Sequence, residues 1–572
     1  MKFFLKPETD IVLLHPPHVY DFRKKPQLYG PVSDLVPSTP VFEMYPVGFT
    51  SIAEHLEKAG YRTRIVNLAW RMLKDIHFDA ENFISKLEAP IFGIDLHWMV
   101  HAHGAIEIAR LVKKVHPQAR VLIGGFSASR FYKEVMDYPE VDFIMRGDST
   151  EEPMRLFMAA LETNNFTVVP NLVWKDEEGN VRENDFSYVP DSISNVMGNH
   201  YSLMVRQVLR YRDLTSIIPF KGWLKYPITA VFTCRGCNRN CLFCGGSAHA
   251  MQVVVNRKKT VFRTPEDIHK DVLNISKISR GTISVLGDIR QSGQDNADRL
   301  LHLLTQKPVK NTLMFEIYEP VPDEMMRRMA AAAPGFHLDM SPHSHDEEVR
   351  KALNIGYTNQ GMEDTIESAL NLGAGKVEIF FMTGLPLQDK ASVEGTIDYC
   401  HYLLKKFKGD KRLSLYIGPL GPFLDPGSEA FENPQKHGYR LLLRTFDEHR
   451  QALTQATWKH TLNYETNWLT REQIMDETYK AIARLTRLKA DFGQIPASLA
   501  EAQIERINRA VQIEVEIDKL LQSGREDEIE KLKPEIARVN NFSTVEHLQM
   551  QGKPRLVGLR YMSALWQIIK GN

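Results

Sequence analysis

Cysteine is scarce in this chain of 572 residues, which contains only five, and none of them precedes Cys234. Four of the five occupy positions 234, 237, 241 and 244. A secreted, disulfide-stabilised protein would distribute its cysteines along the chain, so this class is not indicated. Clustered thiols are typical of a metal site, and the sequence therefore predicts one near the middle of the chain.

Net charge and long hydrophobic runs are also lacking. Lys plus Arg and Asp plus Glu both number 71, so electrostatics gives no reason to expect nucleic acid or an anionic membrane as a partner. No run approaches the ~18 apolar residues of a membrane-spanning helix, and the N-terminus lacks the apolar core of a signal peptide. We therefore expect a cytoplasmic protein that binds neither nucleic acid nor membrane.

The first part of the chain alternates short apolar runs with amphipathic stretches. The runs are bounded by turn residues and rich in Val, Ile and Leu, as buried parallel strands are. They are Ile11–Leu14, Arg64–Leu68, Ile91–Asp95, Arg120–Gly124 and Val141–Met145. This pattern predicts an α/β, Rossmann-like domain over residues 1–150, with its ligand at the carboxyl ends of the strands.

A second alternation of strands and helices begins at Ile228, after a stretch at 151–225 that we interpret as a linker or cap with one hairpin. The predicted strands are Ile228–Thr233, Ile283–Leu286, Leu313–Ile317, His337–Met340, Val377–Met382 and Leu413–Ile417. Six strand–helix units predict a partial (β/α)6 barrel over residues 226–425. Residues 426–572 are predicted to be mainly helical, with one long helix ending at Gly524.

The cysteine segment, residues 233–246, reads TCRGCNRNCLFCGG, so its cysteines follow the spacing C-x2-C-x3-C-x2-C. Three thiolates on one loop can hold three irons of a four-iron cluster and leave the fourth iron open. An open iron can chelate the amino and carboxylate groups of S-adenosylmethionine. Structural zinc on four cysteines is the alternative, but the three residues between the two pairs leave little room for one tetrahedral ion.

The spacing of Cys237, Cys241 and Cys244, with Phe243 before the last cysteine, resembles the motif of the radical S-adenosylmethionine (SAM) family. The preceding Arg-Gly pair resembles the cobalamin-binding branch of that family. The resemblance implies that these three cysteines hold a [4Fe-4S] cluster. Cys234 occupies a Ser/Thr-like position of the family pattern, so we do not expect it to be a ligand. Cys400 lies on an apolar helix face and is predicted to be a core residue.

Later segments resemble the same family, namely ISVLGDIRQSG, MSPHSHDEEVRKALNIGYT and FFMTGLPLQD. In the second segment, His343 and His345 stand where the family has Glu and Gly. The resemblance implies that Asp288 faces the amino group of SAM. The implied SAM-binding residues are Phe243, Gly287, Asp288, Ser344, Gly384 and Pro386.

The N-terminal segments DIVLLHPPHVYDF, ARVLIGGFSAS and VDFIMRGDSTEEP resemble the cobalamin-binding domain that precedes such barrels. Val100 stands where free-standing cobalamin domains have the glycine of their Asp-x-His-x-x-Gly motif. His97 therefore faces the corrin or is simply a polar residue at a strand end; a separate metal site with His101 and His103 is disfavoured. The implied cobalamin-binding residues are Pro17, His97, Trp98, Gly124, Gly125, Phe126, Ser127 and Gly147.

The function implied by the resemblance is transfer of a methyl group to an unactivated carbon, with a [4Fe-4S] cluster, SAM and methylcobalamin as cofactors. The substrate would be a protein, peptide or small molecule, for example a glutamine of methyl-coenzyme M reductase. A ferredoxin or flavodoxin would supply low-potential electrons. No catalytic side chain is identified. A cobalamin-dependent cyclase or rearrangement enzyme and a non-enzymatic iron–sulfur or zinc protein remain alternatives. A methylthiotransferase is excluded, because it would need three further cysteines before Cys234.

Overall fold

A computed structural model describes residues 9–31, 39–193, 201–224 and 227–540. The boundary predicted at 225/226, and residues 541–572 of the predicted helical region, lie outside these described residues. The strands of the N-terminal part are β1 (Ile11–His15), β2 (Thr63–Asn67), β3 (Ile91–Asp95), β4 (Arg120–Gly124), β5 (Phe143–Met145), β6 (Leu172–Lys175) and β7 (Val181–Glu183). The later strands are β8 (Thr229–Phe232), β9 (Cys234–Arg235), β10 (Val261–Phe262), β11 (Ile283–Leu286), β12 (Leu313–Ile317), β13 (His337–His343), β14 (Lys376–Thr383), β15 (Leu413–Pro419), β16 (Tyr439–Leu441) and β17 (Tyr464–Thr466).

Helices connect and cover these strands. Those of the N-terminal part are α1 (Val47–Lys58), α2 (Leu68–Lys74), α3 (Ala80–Ile84), α4 (Ala102–Val115), α5 (Phe126–Arg130), α6 (Tyr132–Met136), α7 (Glu151–Ala160) and α8 (Tyr201–Tyr211). The central helices are α9 (Ala248–Val255), α10 (Pro265–Ile278), α11 (Gln294–Gln306), α12 (Asp323–Ala332), α13 (Glu347–Ala352), α14 (Asn359–Asn371) and α15 (Lys390–Lys406). The C-terminal helices are α16 (Glu429–Glu432), α17 (Phe446–Ala452), α18 (Arg471–Asp491), α19 (Ala497–Gln522) and α20 (Lys533–Asn540). No helix among the described residues is long and apolar enough to cross a bilayer.

The first sheet has the strand order β2-β1-β3-β4-β5-β6-β7, and its first five strands are parallel. Successive residues of β1 belong to different cores, because side chains of a strand alternate between the two faces of the sheet. Ile11 and Leu13 pack in one core, and Val12 and Leu14 pack in the other. Helices therefore cover both faces, and the predicted Rossmann-like α/β arrangement is confirmed.

The segment predicted as a linker or cap at 151–225 belongs largely to this first domain, which corrects the prediction. Strands β6 and β7 form the expected hairpin, but β6 pairs antiparallel with β5 and extends the sheet. Helix α7 packs on α1, and α8 packs on α1 and β2. The hairpin was visible in the local sequence, whereas its pairing with β5 covers a sheet edge and depends on contacts distant in sequence.

The second sheet has the order β15-β14-β13-β12-β11-β8, and all of its pairings are parallel. Its six strands are those predicted from the sequence, so the partial barrel is confirmed. The strands β8 and β15 are its two edges, and α18 packs against β15, β14 and α15. The long C-terminal helices α18 and α19 pair with each other, and α19 ends two residues before Gly524, whose φ is 69°. The C-terminal region also contains the short antiparallel pair β16–β17.

Candidate cofactor crevice

The cysteine loop follows β8 at the carboxyl end of the barrel strands. Thr233 anchors it, because its backbone N–H and its hydroxyl both donate to the carbonyl of Leu286, at 3.0 and 2.9 Å. The backbone N–H of Arg239 donates to Cys237 Sγ, and that of Gly246 donates to Cys244 Sγ, both at 3.3 Å. Backbone donors aimed at sulfur are typical of iron–sulfur sites, where they tune the potential of the cluster.

Burial is the main cause that raises the pKa of the three thiols, and it raises the pKa of Cys241 to about 11. Thiols must lose their protons to become ligands, so a cation has to assist their ionisation in this loop. Among the described residues, no group of three or more His, Cys, Asp or Glu side chains is arranged to hold a single metal ion.

Cys234 is engaged differently from the other three cysteines of the segment. Its thiol donates to the carbonyl of Gly236 at 3.3 Å, and it accepts a contact from the hydroxyl of Thr233 at 3.7 Å. Its strand β9 pairs with β10, and a Cβ placed on Gly287 would lie 3.4 Å from Cys234 Sγ. The thiol thus contacts the barrel backbone, and our expectation that it is not a cluster ligand stays a prediction.

One acidic residue joins the cysteine loop to the N-terminal domain. Asp425 Oδ2 accepts a hydrogen bond from the backbone N–H of Gly245 at 2.8 Å, directly after Cys244. Burial raises the pKa of Asp425, and hydrogen bonds from Gly245 and from the side chain of Trp98 partly oppose that shift. Trp98, one of the predicted cobalamin-binding residues, thus lies near Asp425, which contacts the loop that is predicted to hold the cluster.

A buried ionic latch fixes the two domains together on another side of the same loop. We use "latch" for Asp148, Ser149 and Glu151 of the first domain with Arg235 and Arg257 of the barrel. Arg235 Nη1 donates to Ser149 Oγ at 2.8 Å and to Glu151 Oε2 at 3.0 Å. Arg257 Nε donates to Asp148 Oδ2 at 2.5 Å. Burial alone would raise the pKa of Glu151, but the charge and hydrogen bonds of Arg235 outweigh it and the pKa lies below its usual value.

Breaking the latch should destabilise the protein strongly. Arg235→Met leaves the carboxylate of Glu151, which is 3 % exposed, without its cation. Removing one partner of a buried pair typically costs about 3–5 kcal/mol, and we expect a fall of that order in the free energy of unfolding measured with denaturant. Arg182→Met is the matched control, because Arg182 pairs with Asp176 at the surface and such pairs contribute about 0–1 kcal/mol. Equal losses in the two variants would contradict the role of the latch.

Four predicted cobalamin-binding residues converge at the carboxyl ends of β3 and β4. Gly125 has a φ of 121°, and a Cβ there would lie 2.5 Å from the backbone of His97, so only glycine permits this approach. The backbone N–H of Ser127 donates to the carbonyl of His97 at 3.2 Å. The rings of His97 and Phe126 meet edge to face at 5.8 Å. The side chain of His97 is exposed just beyond the end of β3, so both the corrin contact and the polar residue at a strand end stay predictions.

The other predicted cobalamin residues have structural contacts. Trp98 meets Phe42 edge to face at 5.2 Å. Pro17 packs so closely against α4 that a Cβ on Gly104 would lie 1.8 Å from the Pro17 carbonyl oxygen. Gly147 has a φ of 122° and begins the turn that carries the latch, a role that its resemblance to a cobalamin contact did not reveal.

The remaining member of the predicted cobalamin set, Gly124, lies at a strand end. Gly124 is the last residue of β4 and lies opposite Asp95 of β3. Asp95 accepts a hydrogen bond from the backbone N–H of His97 at 2.9 Å and contacts His15 Nδ1 at 3.0 Å. The carboxylate of the Asp-x-His pair thus orients the backbone of His97 and leaves its ring exposed.

Of the predicted SAM-binding residues, Phe243 lies on the cysteine loop, whereas Ser344, Gly384 and Pro386 are buried. Phe243 meets His343 edge to face at 5.0 Å, beside the cysteine loop, and His343 has the strained φ of 67°. Ser344 is fully buried and its hydroxyl accepts from the backbone N–H of Asp346, and its contact with SAM stays a prediction. Gly384 and Pro386 form the buried turn after β14, where a Cβ on Gly384 would lie 2.4 Å from Tyr464 Oη.

Cys400 is 0 % exposed, which confirms it as a core residue.

Asp288 lies near Cys237 of the cysteine loop, but its carboxylate already has hydrogen-bond partners within the chain. Arg290 Nε donates to Oδ1 at 2.9 Å and Arg290 Nη2 to Oδ2 at 2.5 Å, while the backbone N–H of Tyr318 donates to Oδ2 at 3.0 Å. This bidentate pair neutralises the charge that the sequence assigned to the amino group of SAM.

Glu316 is the carboxylate that sequence reasoning missed. Its Oε2 accepts from the backbone N–H of Gly287 at 2.7 Å and from Tyr318 Oη at 3.1 Å, and no cationic side chain among the described residues pairs with it. Burial raises the pKa of Cys234 to about 11, and the charge of Glu316 adds to that shift, which places the carboxylate near the thiols. The alternation in LMFEI, where Glu316 lies on the opposite face from the buried Phe315 and Ile317, was the available signal.

Two family models match this chain. The model of the radical SAM superfamily matches residues 231–400, and the model of the B12 binding domain matches residues 35–156. The chain thus contains a B12-binding domain followed by a radical SAM domain.

Curated proteins with similar sequences are methyl-transferring enzymes by name. The hopanoid C-3 methylase of Methylococcus capsulatus is 26% identical over 209 residues, which span 36% of this chain and 37% of that protein. The cytidylyl-2-hydroxyethylphosphonate methyltransferase of Streptomyces wedmorensis is 23% identical over 411 residues, which span 63% of this chain and 73% of that protein.

Solved structures of cobalamin-dependent radical SAM proteins share the fold. The methyltransferase TsrM from Kitasatospora setae, with cobalamin and a [4Fe-4S] cluster bound, matches with a TM-score of 0.57 at 14% identity, over 84% of this chain and 89% of that chain. The cobalamin-dependent SAM radical enzyme OxsB, with aqua-cobalamin and SAM bound, matches with a TM-score of 0.53 at 12% identity, over 99% and 81%. At these identities the likeness establishes the common fold.

Proposed function

We propose that this protein is a cobalamin-dependent radical SAM methyltransferase that transfers a methyl group to an unactivated carbon. The observation that carries the proposal is the contact between its two halves: Arg235 of the cysteine segment donates hydrogen bonds to Ser149 and Glu151 at the end of the B12-binding domain. The two cofactor-binding faces are therefore adjacent, as transfer between two cofactors and one substrate requires.

The residues present fit the cofactors that the two domains imply. Cys237, Cys241 and Cys244 would hold three irons of a [4Fe-4S] cluster, with the fourth iron left for SAM. The exposed His97, held close to Gly125 at the strand ends, would face the corrin. Together these cofactors would supply one-electron cleavage of SAM and a transferable methyl group.

The protein's own contribution is positioning and exclusion of water. Asp425 would fix the cysteine loop relative to the B12-binding face, and the latch would hold the two domains at a constant separation. Glu316 would orient the amino group of SAM, since a carboxylate without a cationic partner suits an ammonium group. The substrate would be a protein residue, such as a glutamine of methyl-coenzyme M reductase, or a small molecule, and a ferredoxin or flavodoxin would be the electron donor.

The proposal is tested with protein purified without oxygen, reconstituted with iron, sulfide and cobalamin, and reduced. We expect 5′-deoxyadenosine and methionine from SAM, and incorporation of label from methyl-labelled SAM into a product that is absent from cells lacking the gene. Cleavage of SAM without incorporation of the label would favour the cyclase or rearrangement alternative. A fully loaded protein that does not cleave SAM would contradict the proposal.

A further inference from the structure

A cavity lies where the B12-binding domain, the end of β15 and the C-terminal region meet. About 60 Å³ of it is open to the centre of a water molecule. At about 10–15 Å³ per water, this space holds roughly four to six water-sized groups. Its walls include Phe42, Val100, Pro419, Gly421 and Trp458.

Two of the buried residues that line this cavity carry hydrogen-bond acceptors without a partner. His18 is 5 % exposed, and neither ring nitrogen has a hydrogen-bond partner. The backbone carbonyl of Val41 only slightly opposes the fall in the pKa of the ring. Burial lowers the pKa of His18 to about 3, so the ring is neutral and one nitrogen is an acceptor. A carbonyl cannot donate to that nitrogen, so Val41 leaves it unsatisfied.

Gln27 provides the second acceptor. Its Nε2 donates to the carbonyls of Leu453 and Gln455, at 2.7 and 3.0 Å, and these bonds fix the orientation of the amide. Its Oε1 is buried and has no hydrogen-bond partner. Because a buried polar group without a partner typically costs about 1–3 kcal/mol, two of them in one cavity indicate that a donor belongs there.

The lining also limits the charge of the occupant. Among the residues that the structure describes, which leave out 32–38, none of the side chains that line the cavity belongs to Asp, Glu, Lys or Arg. A buried ion without a counter-charge is strongly disfavoured, so a cationic donor such as an ammonium group is unsuitable. The occupant is therefore uncharged and carries an N–H or O–H group.

The position of the cavity connects it with the crevice. Gly421 lies four residues before Asp425, the residue that contacts the cysteine loop. Val100 lies two residues after Trp98 in the B12-binding domain. The cavity is therefore lined by stretches of chain that neighbour Trp98 and Asp425, and on this ground we assign it to the substrate.

We propose that the cavity of His18 and Gln27 is a binding subsite for an uncharged hydrogen-bond donor of the substrate, such as a carboxamide or a hydroxyl group. This inference rests on the proposed function for the identity of the ligand as substrate. The size and chemistry of the subsite stand on the cavity itself.

Binding is tested with the reconstituted full chain labelled with 5-fluorotryptophan. Trp458 lines the cavity, and its ¹⁹F signal among those of the seven tryptophans is assigned with Trp458→Phe. Propionamide is the probe; propionate and propylammonium are matched charged probes of the same size. We expect propionamide alone to shift the Trp458 signal in a saturable manner. In His18→Phe its affinity should fall about tenfold, the effect of one hydrogen bond to a buried acceptor. His18→Gln, which keeps an acceptor, should restore binding, and His116→Phe, outside the cavity, should leave it unchanged.

Other outcomes overturn the inference. No response of Trp458 to propionamide would mean that water or the chain itself fills the cavity. Equal affinity of propionamide for His18→Phe and the wild type would contradict the hydrogen bond to His18. Equal binding of propionate and propionamide would contradict the selectivity for an uncharged group. To identify the ligand as substrate, we expect His18→Phe to lower the labelled product in cells while the purified variant keeps its affinity for SAM. Failure of the wild-type protein to bind SAM would contradict the proposed function. The ¹⁹F experiment would still show whether the cavity binds propionamide.

Discussion

Replacing Cys237, Cys241 or Cys244 individually by alanine should abolish cluster assembly and 5′-deoxyadenosine formation, whereas Cys234→Ala should retain both. Each of the three thiols is expected to hold one iron, and the loss of one opens a second corner of the cluster. The Cys234 thiol instead donates to the Gly236 carbonyl and packs beside Gly287. Iron and sulfide content, visible absorption and low-temperature electron paramagnetic resonance of the reconstituted variants measure the difference.

The Cys234 variant is the internal control of this series, since it removes a thiol from the same segment. Cys400→Ala removes a thiol from the core of α15, 0 % exposed, and should also keep the cluster. Loss of the cluster in Cys234→Ala, with normal assembly in Cys400→Ala, would make Cys234 a fourth ligand. SAM would then have no open iron, and the proposed radical chemistry would be wrong.

Glu316→Gln should weaken SAM binding by roughly ten- to hundredfold, as expected for the loss of a hydrogen bond to a charged group. Glutamine has the same shape and can still accept from the backbone N–H of Gly287, so the barrel should keep its fold. The measurement is equilibrium dialysis of SAM against the reduced, reconstituted protein in the absence of oxygen.

Two comparisons isolate the interaction of Glu316. Glu319→Gln changes a half-exposed residue that pairs with Arg239 and should leave SAM affinity nearly unchanged. An analogue of SAM that lacks the amino group should bind the wild type and Glu316→Gln equally well, because the partner of the carboxylate is then missing. Unchanged SAM affinity in Glu316→Gln would return the role to Asp288 despite its pairing with Arg290.

The latch and Asp425 give the crevice its rigidity. Transfer between two large cofactors depends on a constant separation of their binding faces, and small misplacements are costly. The latch provides buried, charge-assisted hydrogen bonds from Arg235 and Arg257, and Asp425 adds a link between Trp98 and the backbone after Cys244. Through Arg235 and Gly245, these contacts restrain both ends of the cysteine segment.

The sequence by itself determined the parts that depend on neighbours along the chain. The eleven parallel strands of the two sheets followed from short apolar runs, because a strand buried on both faces needs apolar residues at every position. The spacing of Cys237, Cys241 and Cys244 identified the candidate cluster loop, since three ligands within eight residues define their own site. The helical character of the C-terminal region and the end of α19 near Gly524 were also predicted, since glycine is a typical helix stop.

Only the tertiary structure decided which distant residues meet. Asp288 and its partner Arg290 are close in sequence. The position of the Glu316 carboxylate next to Gly287, by contrast, depends on the register between β11 and β12. The pairing of β6 with β5, the latch between Glu151 and Arg235, and the cavity of His18 and Gln27 all join segments separated by long stretches of chain. Such contacts are fixed by packing and by the pairing of buried charges, and a local sequence pattern carries no record of the partner.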